Sequence, residues 1–379
     1  MKKLRTAVFT SSRSEYGLLK PLLKLMADDK EFELLLLVGG GHLSNLFGYT
    51  KTDIEADKFP IAAEFDFLAE PPEGDYLTKS LAKLQEQIGS WLYNNKPDWI
   101  VVLGDRFELL AVAAAALLHK IPLAHISGGD ITVGAIDNQV RHAVSKIAAV
   151  HFPATEAAKD TLLALGEEQW RICLAGEPGL DQIADMNYLP KEDLFKQLGL
   201  DTKLPVALMT FHPDTLINLI NPDFIKTVIN NLISKHNMQV MATGSNFDEG
   251  GAEINKAIEL MNNPLCKFTM SLGQKRYYSM LKYAALVIGN SSSGIVEAQS
   301  FKIPVINVGS RQQDRLSNPN VIHVAADINA IDKAIPKALS AEFSSRFSDK
   351  INVYGDGKAC QRIINFLKRI PRENLLQKR

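Results

Sequence analysis

Little in this sequence suits a metal, a disulfide or a nucleic acid. Three cysteines, Cys173, Cys266 and Cys360, stand far apart and follow no ligand spacing. That excludes a disulfide framework and a zinc ribbon, and leaves reduced core thiols. Basic and acidic residues number 42 and 43, so the chain carries no electrostatic footprint for nucleic acid. The longest apolar stretch, Leu109–Leu118, is mostly alanine and too short to cross a bilayer. The apolar run near the start is short and broken by Arg5. It reads as a first buried strand rather than a leader, and a cytoplasmic location is expected. No Walker A motif occurs, and no G-x-G-x-x-G follows the first strand. Both absences argue against an NTPase and against an NAD-dependent epimerase.

What is present is alternation. Apolar, β-branched runs predict strands at Arg5–Thr10, Glu33–Val38, Trp99–Leu103, Pro122–Ile126, Ala149–Phe152, Arg171–Ala175, Pro205–Thr210, Gln239–Thr243, Lys267–Ser271, Leu286–Ile288 and Val305–Val308. Segments such as Tyr76–Asn94 and Asp223–His236 between them show the spacing of half-buried helices. The pattern is α/β: parallel sheets covered by helices on both faces. A length of 379 residues suits two domains. Turn residues in Gly176–Gly179 and a late next strand put the boundary near Gly176–Leu204. The expected division is residues 1–180, residues 181–355, and a C-terminal helix and tail over 356–379 that packs back on the first domain. The tail Arg369–Arg379 is charged and expected to fray.

In open α/β sheets, ligands gather at the carboxyl ends of strands, so the residues after each strand are the ones to inspect. After Leu286–Ile288 comes Gly289-Asn290-Ser291-Ser292-Ser293-Gly294, then a helical segment predicted over Ile295–Phe301. Free N–H groups at a helix start, serine hydroxyls and a small Gly294 make a phosphate cradle at Ser291 and Ser292. Glu297, one turn on, suits ribose hydroxyls. The plain alternative is a Ser-capped helix. Arg13 follows the first strand in a Ser-rich loop that suits an anion. Asp105 and Arg106 follow the third. The loop Ser127-Gly128-Gly129-Asp130 follows the fourth, with Asp137, Arg141 and His142 beyond. His212 follows Thr210, and Asn246 follows Thr243. The first half thus supplies carboxylates and the second supplies phosphate and ribose ligands. That is the layout expected of a nucleotide-sugar enzyme.

Taken together, Val101–Glu108, His125–Asp130, Ile136–His142, Phe211-His212-Pro213, Ile288–Gly294 with Glu297, and Gly309–Gln312 resemble the hydrolysing UDP-N-acetylglucosamine 2-epimerases, in a branch like the bacterial sialic-acid type. The resemblance runs from Arg13 to the Tyr354–Gly357 turn. It implies the GT-B architecture: two doubly wound Rossmann-like domains with the active site in the cleft between them. It further implies loss of UDP across C1 and C2, then addition of water with inversion at C2 to give free N-acetylmannosamine. Asp105, Asp130 and Asp137 become acid–base candidates, with Arg141 in the same motif and His212 near the leaving phosphate. Arg13, Ser291, Ser292 and Arg311 would hold the diphosphate, and Arg106, Asn246, Leu272 and Tyr278 match nucleotide-side positions. Many relatives carry Glu where Ser127 stands, which leaves Asp130 as the acid of that loop.

No cofactor and no metal is expected. The expected partners are the UDP-sugar, the UDP product and further copies of the chain in a homodimer or homotetramer, with no nucleic acid and no membrane. Two other substrates or classes stay open. The same chemistry could act on UDP-2,4-diacetamido-2,4,6-trideoxyglucose of a legionaminic acid pathway, or the fold could serve a GT-B glycosyltransferase. A non-catalytic sensor is less consistent with carboxylates set beside a diphosphate.

Overall fold

The computed structural model describes residues 3–45, 48–69, 75–131, 136–213, 220–245, 251–312 and 315–378. Two compact units emerge, Met1–Ala184 with Tyr354–Arg379, and Asp185–Val353.

In the first unit, β1 (Leu4–Thr10), β2 (Phe32–Gly39), β3 (Ile61–Phe65), β4 (Trp99–Leu103), β5 (Leu123–Ile126) and β6 (Val150–Phe152) form one sheet. Its order is β3-β2-β1-β4-β5-β6, with every pair parallel. In the second unit, β7 (Val206–Thr210), β8 (Gln239–Thr243), β9 (Cys266–Thr269), β10 (Leu286–Gly289), β11 (Val305–Val308) and β12 (Val321–Val324) repeat the topology as β12-β11-β10-β7-β8-β9. Each unit therefore reverses its winding between its first and fourth strands, at β1/β4 and at β7/β10. That is where a doubly wound sheet opens a crevice for ligands.

The sequence explains this build. β4, Trp-Ile-Val-Val-Leu, is buried throughout, as a strand covered on both faces must be. Successive side chains take opposite faces. Val8 and Val101 join Leu19, Leu22, Leu23 and Met26 of the helix Arg13–Asp28. Ala7, Phe9, Ile100 and Val102 face Leu84, Ile88 and Leu92 of the helix Tyr76–Asn95.

The final helix, Ala359–Arg369, lies in the first unit and contributes Ile363, Ile364 and Leu367 to the same core as Leu19 and Leu22. Burying each of these side chains is worth about 1.5–3 kcal/mol. Asp181 caps that helix from a distance in sequence, its two carboxylate oxygens accepting from the N–H groups of Ala359 and Cys360 at 2.8 and 2.7 Å.

Three expectations need correction. Arg171–Ala175 is not a strand; it makes a single bridge, Ile172 against His151, after a one-turn helix at Gln169–Arg171. β3 and β12, the outer strands on one side of each sheet, were not foreseen. The tail is not frayed: Leu375 is 1% exposed. Arg171, itself buried, donates to the carbonyls of Leu375 and Gln377 at 2.6 and 2.9 Å. Lys378 reaches the buried Glu167 at 2.6 Å. Among the described residues no helix is long and apolar enough to cross a membrane.

Candidate active site

In the first unit the site is built on the turns after β1, β4 and β5. His125, fully buried on β5, sets the middle turn. Its Nδ1 lies 3.0 Å from the Ser145 hydroxyl and its Nε2 lies 2.8 Å from the Gly104 carbonyl. Burial pushes its pKa down to about 3, so the ring is neutral. Nε2–H then donates to Gly104, and Nδ1 accepts from Ser145. The carbonyl just before Asp105 is thereby pinned to the neighbouring strand.

Asp105 accepts a hydrogen bond from Nη2 of Arg141, a guanidinium only 5% exposed. The other arm of Arg141 donates to the Asp130 carbonyl at 2.7 Å. Arg141 rises from the helix Ile136–Ile147, so one cation ties the β4 and β5 turns to that helix. Asp137, in the first turn of the helix, has its pKa raised, first by burial and then by the Asp105 charge, against the pull of Arg141 and Arg106. Of the carboxyl groups named for this site, it is Asp137 whose acid form burial favours, while Asp105 is ion-paired with Arg141.

The Ser127 backbone is left-handed, with φ +59°, and its hydroxyl donates to Glu177 at 3.2 Å. Gly129 has φ +86°, and a Cβ there would lie 2.1 Å from the Ala158 carbonyl oxygen. Only glycine fits, which fixes the path of the loop leading to Asp130.

In the second unit Asn290 organises the tips of β7 and β10. Fully buried, it accepts from the His212 N–H at 2.7 Å and donates to the His212 carbonyl at 2.8 Å. Its own carbonyl accepts from Arg311 and Gln312, each at 3.3 Å. Gly289, just before it, has φ +144°, and a Cβ there would fall 1.8 Å from the Thr210 carbonyl oxygen.

Ser291 stands at the N-cap of the helix Ser292–Val296, yet its side chain makes no capping bond. The helix is shorter than predicted, and a one-turn 3₁₀ segment, Ala298–Phe301, follows it. The macrodipole is correspondingly slight, so the donors available to an anion are chiefly individual N–H and hydroxyl groups. Gly294 is buried, and a Cβ there would come 3.1 Å from Val305. Glu297 accepts from Tyr278 at 3.0 Å and from Ser293 at 2.6 Å, one donor on each oxygen. Each oxygen retains a second acceptor direction. Burial raises the Glu297 pKa.

The first unit thus gathers Asp105, Asp130, Asp137 and Arg141, with Arg106 exposed beside them. The second gathers His212, Ser291, Ser292, Gly294, Glu297, Tyr278 and Arg311 around β7 and β10. Arg13 is exposed and paired with Asp53 at 3.5 Å. Leu272 is buried at the start of the helix Gly273–Tyr283. Asn246 lies outside the described residues. Sequence reasoning missed Asn290, Glu15 and Glu108, whose contacts span long separations. Among the described residues no group of three His, Cys, Asp or Glu side chains could hold a metal ion.

The profile of the family described as UDP-N-acetylglucosamine 2-epimerase matches residues 24–368. A Campylobacter jejuni protein named GDP/UDP-N,N'-diacetylbacillosamine 2-epimerase (hydrolyzing) is 38% identical, over 90% of this chain and 89% of its own. A Legionella pneumophila protein named UDP-N,N'-diacetylbacillosamine 2-epimerase (hydrolyzing) is 34% identical, over 96% and 95%. The crystal structure of a Neisseria meningitidis UDP-GlcNAc 2-epimerase bound to UDP-GlcNAc superposes with a TM-score of 0.81 at 17% identity, covering 98% of this chain and all of that one. The fold is thus the pair of Rossmann-like domains anticipated from the sequence.

Proposed function

The chain belongs to the UDP-N-acetylglucosamine 2-epimerase family, and from that premise we propose that it is a hydrolysing 2-epimerase of a UDP-linked 2-acetamido sugar. The observation that carries the proposal is the Asp105–Arg141–Asp137 arrangement at the switch point of the first sheet. Such a reaction needs a base for the weakly acidic C2 proton and an acid or cation for the departing diphosphate. Asp105, ion-paired with Arg141, serves as the carboxylate. Asp137, whose pKa burial raises, serves as the acid. Asp130 directs the water that adds to the glycal.

In the second unit, Ser291, Ser292, His212 and Arg311 hold the diphosphate, and Glu297 takes the ribose. Leu272 and Tyr278 serve the nucleotide side, as do Arg106 and Asn246. Residues 1–180 with the last helix carry the acid–base chemistry, and residues 181–355 carry UDP. The enzyme works in the cytoplasm as a homodimer or homotetramer without a cofactor.

For the sugar, the names of the two hydrolysing relatives favour UDP-N,N'-diacetylbacillosamine, the 2,4-diacetamido-2,4,6-trideoxyglucose compound. The family description favours UDP-GlcNAc as the second reading. An NMR time course in D₂O with each substrate tests both. Release of UDP with deuterium at C2 of a free manno-configured sugar is the expected result, with the higher kcat/KM on the diacetamido substrate, and unaffected by chelator. Retention of the original C2 hydrogen excludes the elimination route. Transfer only to an added acceptor turns the reading to a glycosyltransferase.

A further inference from the structure

Beneath Arg106 lie two buried carboxyl groups that the chemistry above does not use. Glu15 and Glu108 are 5% and 1% exposed, far apart in sequence, and meet on the hydroxyl of Ser11. Ser11 Oγ is 2.6 Å from Glu15 Oε2 and 2.5 Å from Glu108 Oε1. A serine hydroxyl has one hydrogen and can donate to only one of them. Two carboxylates and one hydroxyl would therefore leave a close oxygen–oxygen contact with no proton in it. One of the carboxyls must be an acid.

The remaining contacts say which. Glu108 Oε1 also accepts from Arg106 Nε at 2.6 Å, so that oxygen is occupied by an N–H of a cation. Glu15 Oε2 takes only the longer Ser11 N–H, at 3.0 Å, and the Ser12 hydroxyl, at 3.2 Å. The proton belongs on Glu15. The chain of donors then runs one way, from Glu15 to Ser11 to Glu108, with Arg106 donating to Glu108 from the other side. Among the described residues, Glu108 Oε2 is buried with no hydrogen-bond partner. The Ser11 hydroxyl and the Arg106 guanidinium both meet Oε1, and the ion pair fixes the guanidinium.

We propose that Glu15, Ser11 and Glu108 form a one-proton carboxyl pair that positions Arg106 at the tip of β4. The role assigned to Arg106, on the nucleotide side of the substrate, rests on the function proposed above; the proton sharing does not. Burial and the Glu108 charge push the Glu15 pKa up to about 7, against Ser11 and Arg106. The other titratable groups facing the pair are Tyr76 and Asp137. His42, near Arg106 and hydrogen-bonded to Thr10 and Thr50, is neutral, its pKa pushed down by burial to about 4.

The test begins without substrate. In protein labelled with ¹³C at the glutamate side-chain carboxyls, one resonance should stay in the carboxylic-acid range to about pH 6 and titrate near 7, well above ordinary glutamate. It should vanish in Glu15→Gln. In Ser11→Ala its midpoint should move by at least about half a unit, the equivalent of one weak hydrogen bond. Loss of every elevated resonance only on changing another glutamate, or no movement in Ser11→Ala, overturns the proton sharing.

Kinetics then tests the positioning. Glu15→Gln keeps a neutral group that can still donate to Ser11, so KM should stay within about 2-fold of wild type. Glu108→Gln removes the anion holding Arg106, so KM for the UDP-sugar should rise on the order of 10-fold, with kcat less affected. Equal damage from both variants overturns the positioning role. If the resonance behaves as described but no UDP-sugar is turned over by wild type, the pair stands and the proposed function falls.

Discussion

At the scale of the residue, protonation state decides what each carboxyl can do. Asp137 keeps its proton to higher pH than an ordinary aspartate because it is half-buried beside Asp105. A carboxyl with a raised folded-state pKa binds more protons folded than unfolded. Its contribution to stability is full below the unfolded value and falls away as pH rises through the folded one. Activity that uses Asp137 as an acid should decline over the same upper range. Asp137→Asn should lower kcat by at least about 100-fold, flatten that decline and leave the far-UV spectrum intact. A variant that retains both rate and pH profile would show Asp137 to be only a residue of the helix start. Asp105 and Asp130 could be found in the sequence because a carboxylate soon after a strand stands out, and Asp137 through the motif at its helix start. Glu15 and Glu108 could not. Each reads as an ordinary acid near a helix start, and only the parallel pairing of β1 with β4 brings them onto one hydroxyl.

At the scale of the element, two strand tips are joined by one amide. Asn290 holds both backbone polar groups of His212, so Asn290→Ala would remove two part-buried hydrogen bonds, at about 0.5–1.5 kcal/mol each. All three tryptophans, Trp91, Trp99 and Trp170, lie in the other unit, so indole fluorescence is a poor monitor of this change. Hydrogen exchange is the suitable measurement. Amides of β7 and β10 should exchange faster in Asn290→Ala while those of β1 and β4 do not. Protection unchanged at β7 would mean that the clasp is dispensable.

The central strands were legible because burial on both faces makes them unbroken apolar runs. β3 and β12 were not, because they are edge strands with half-exposed residues, Ile-Ala-Ala-Glu-Phe and Val-Ile-His-Val. Arg171–Ala175 misled for the converse reason. It is apolar and partly buried, but it packs as an extended segment making one bridge rather than a ladder.

At the scale of the whole molecule, the chain leaves the first unit at Ala184 and re-enters it at Tyr354. The returning segment is held by polar as well as apolar contacts. Truncation after Arg372 would remove Leu375 and strip Arg171 of two carbonyl partners. Hydrogen bonds to a buried charge are worth about 1.5–3 kcal/mol each, so a loss of at least about 3 kcal/mol is expected. Urea unfolding followed by tryptophan emission, which reports this unit alone, should show an earlier midpoint. An unmoved midpoint would make the tail an ornament. The same return also orders events in time. During synthesis the second unit, continuous from Asp185 to Val353, can close as soon as its last strand and helices have emerged from the ribosome. The first unit cannot. Its helix Ala359–Arg369 and the strap that holds Arg171 are still to come, and until then the core that Ile363, Ile364 and Leu367 complete is unfinished. The half of the protein that is begun first is finished last, and its incomplete core is what a chaperone would meet on the nascent chain.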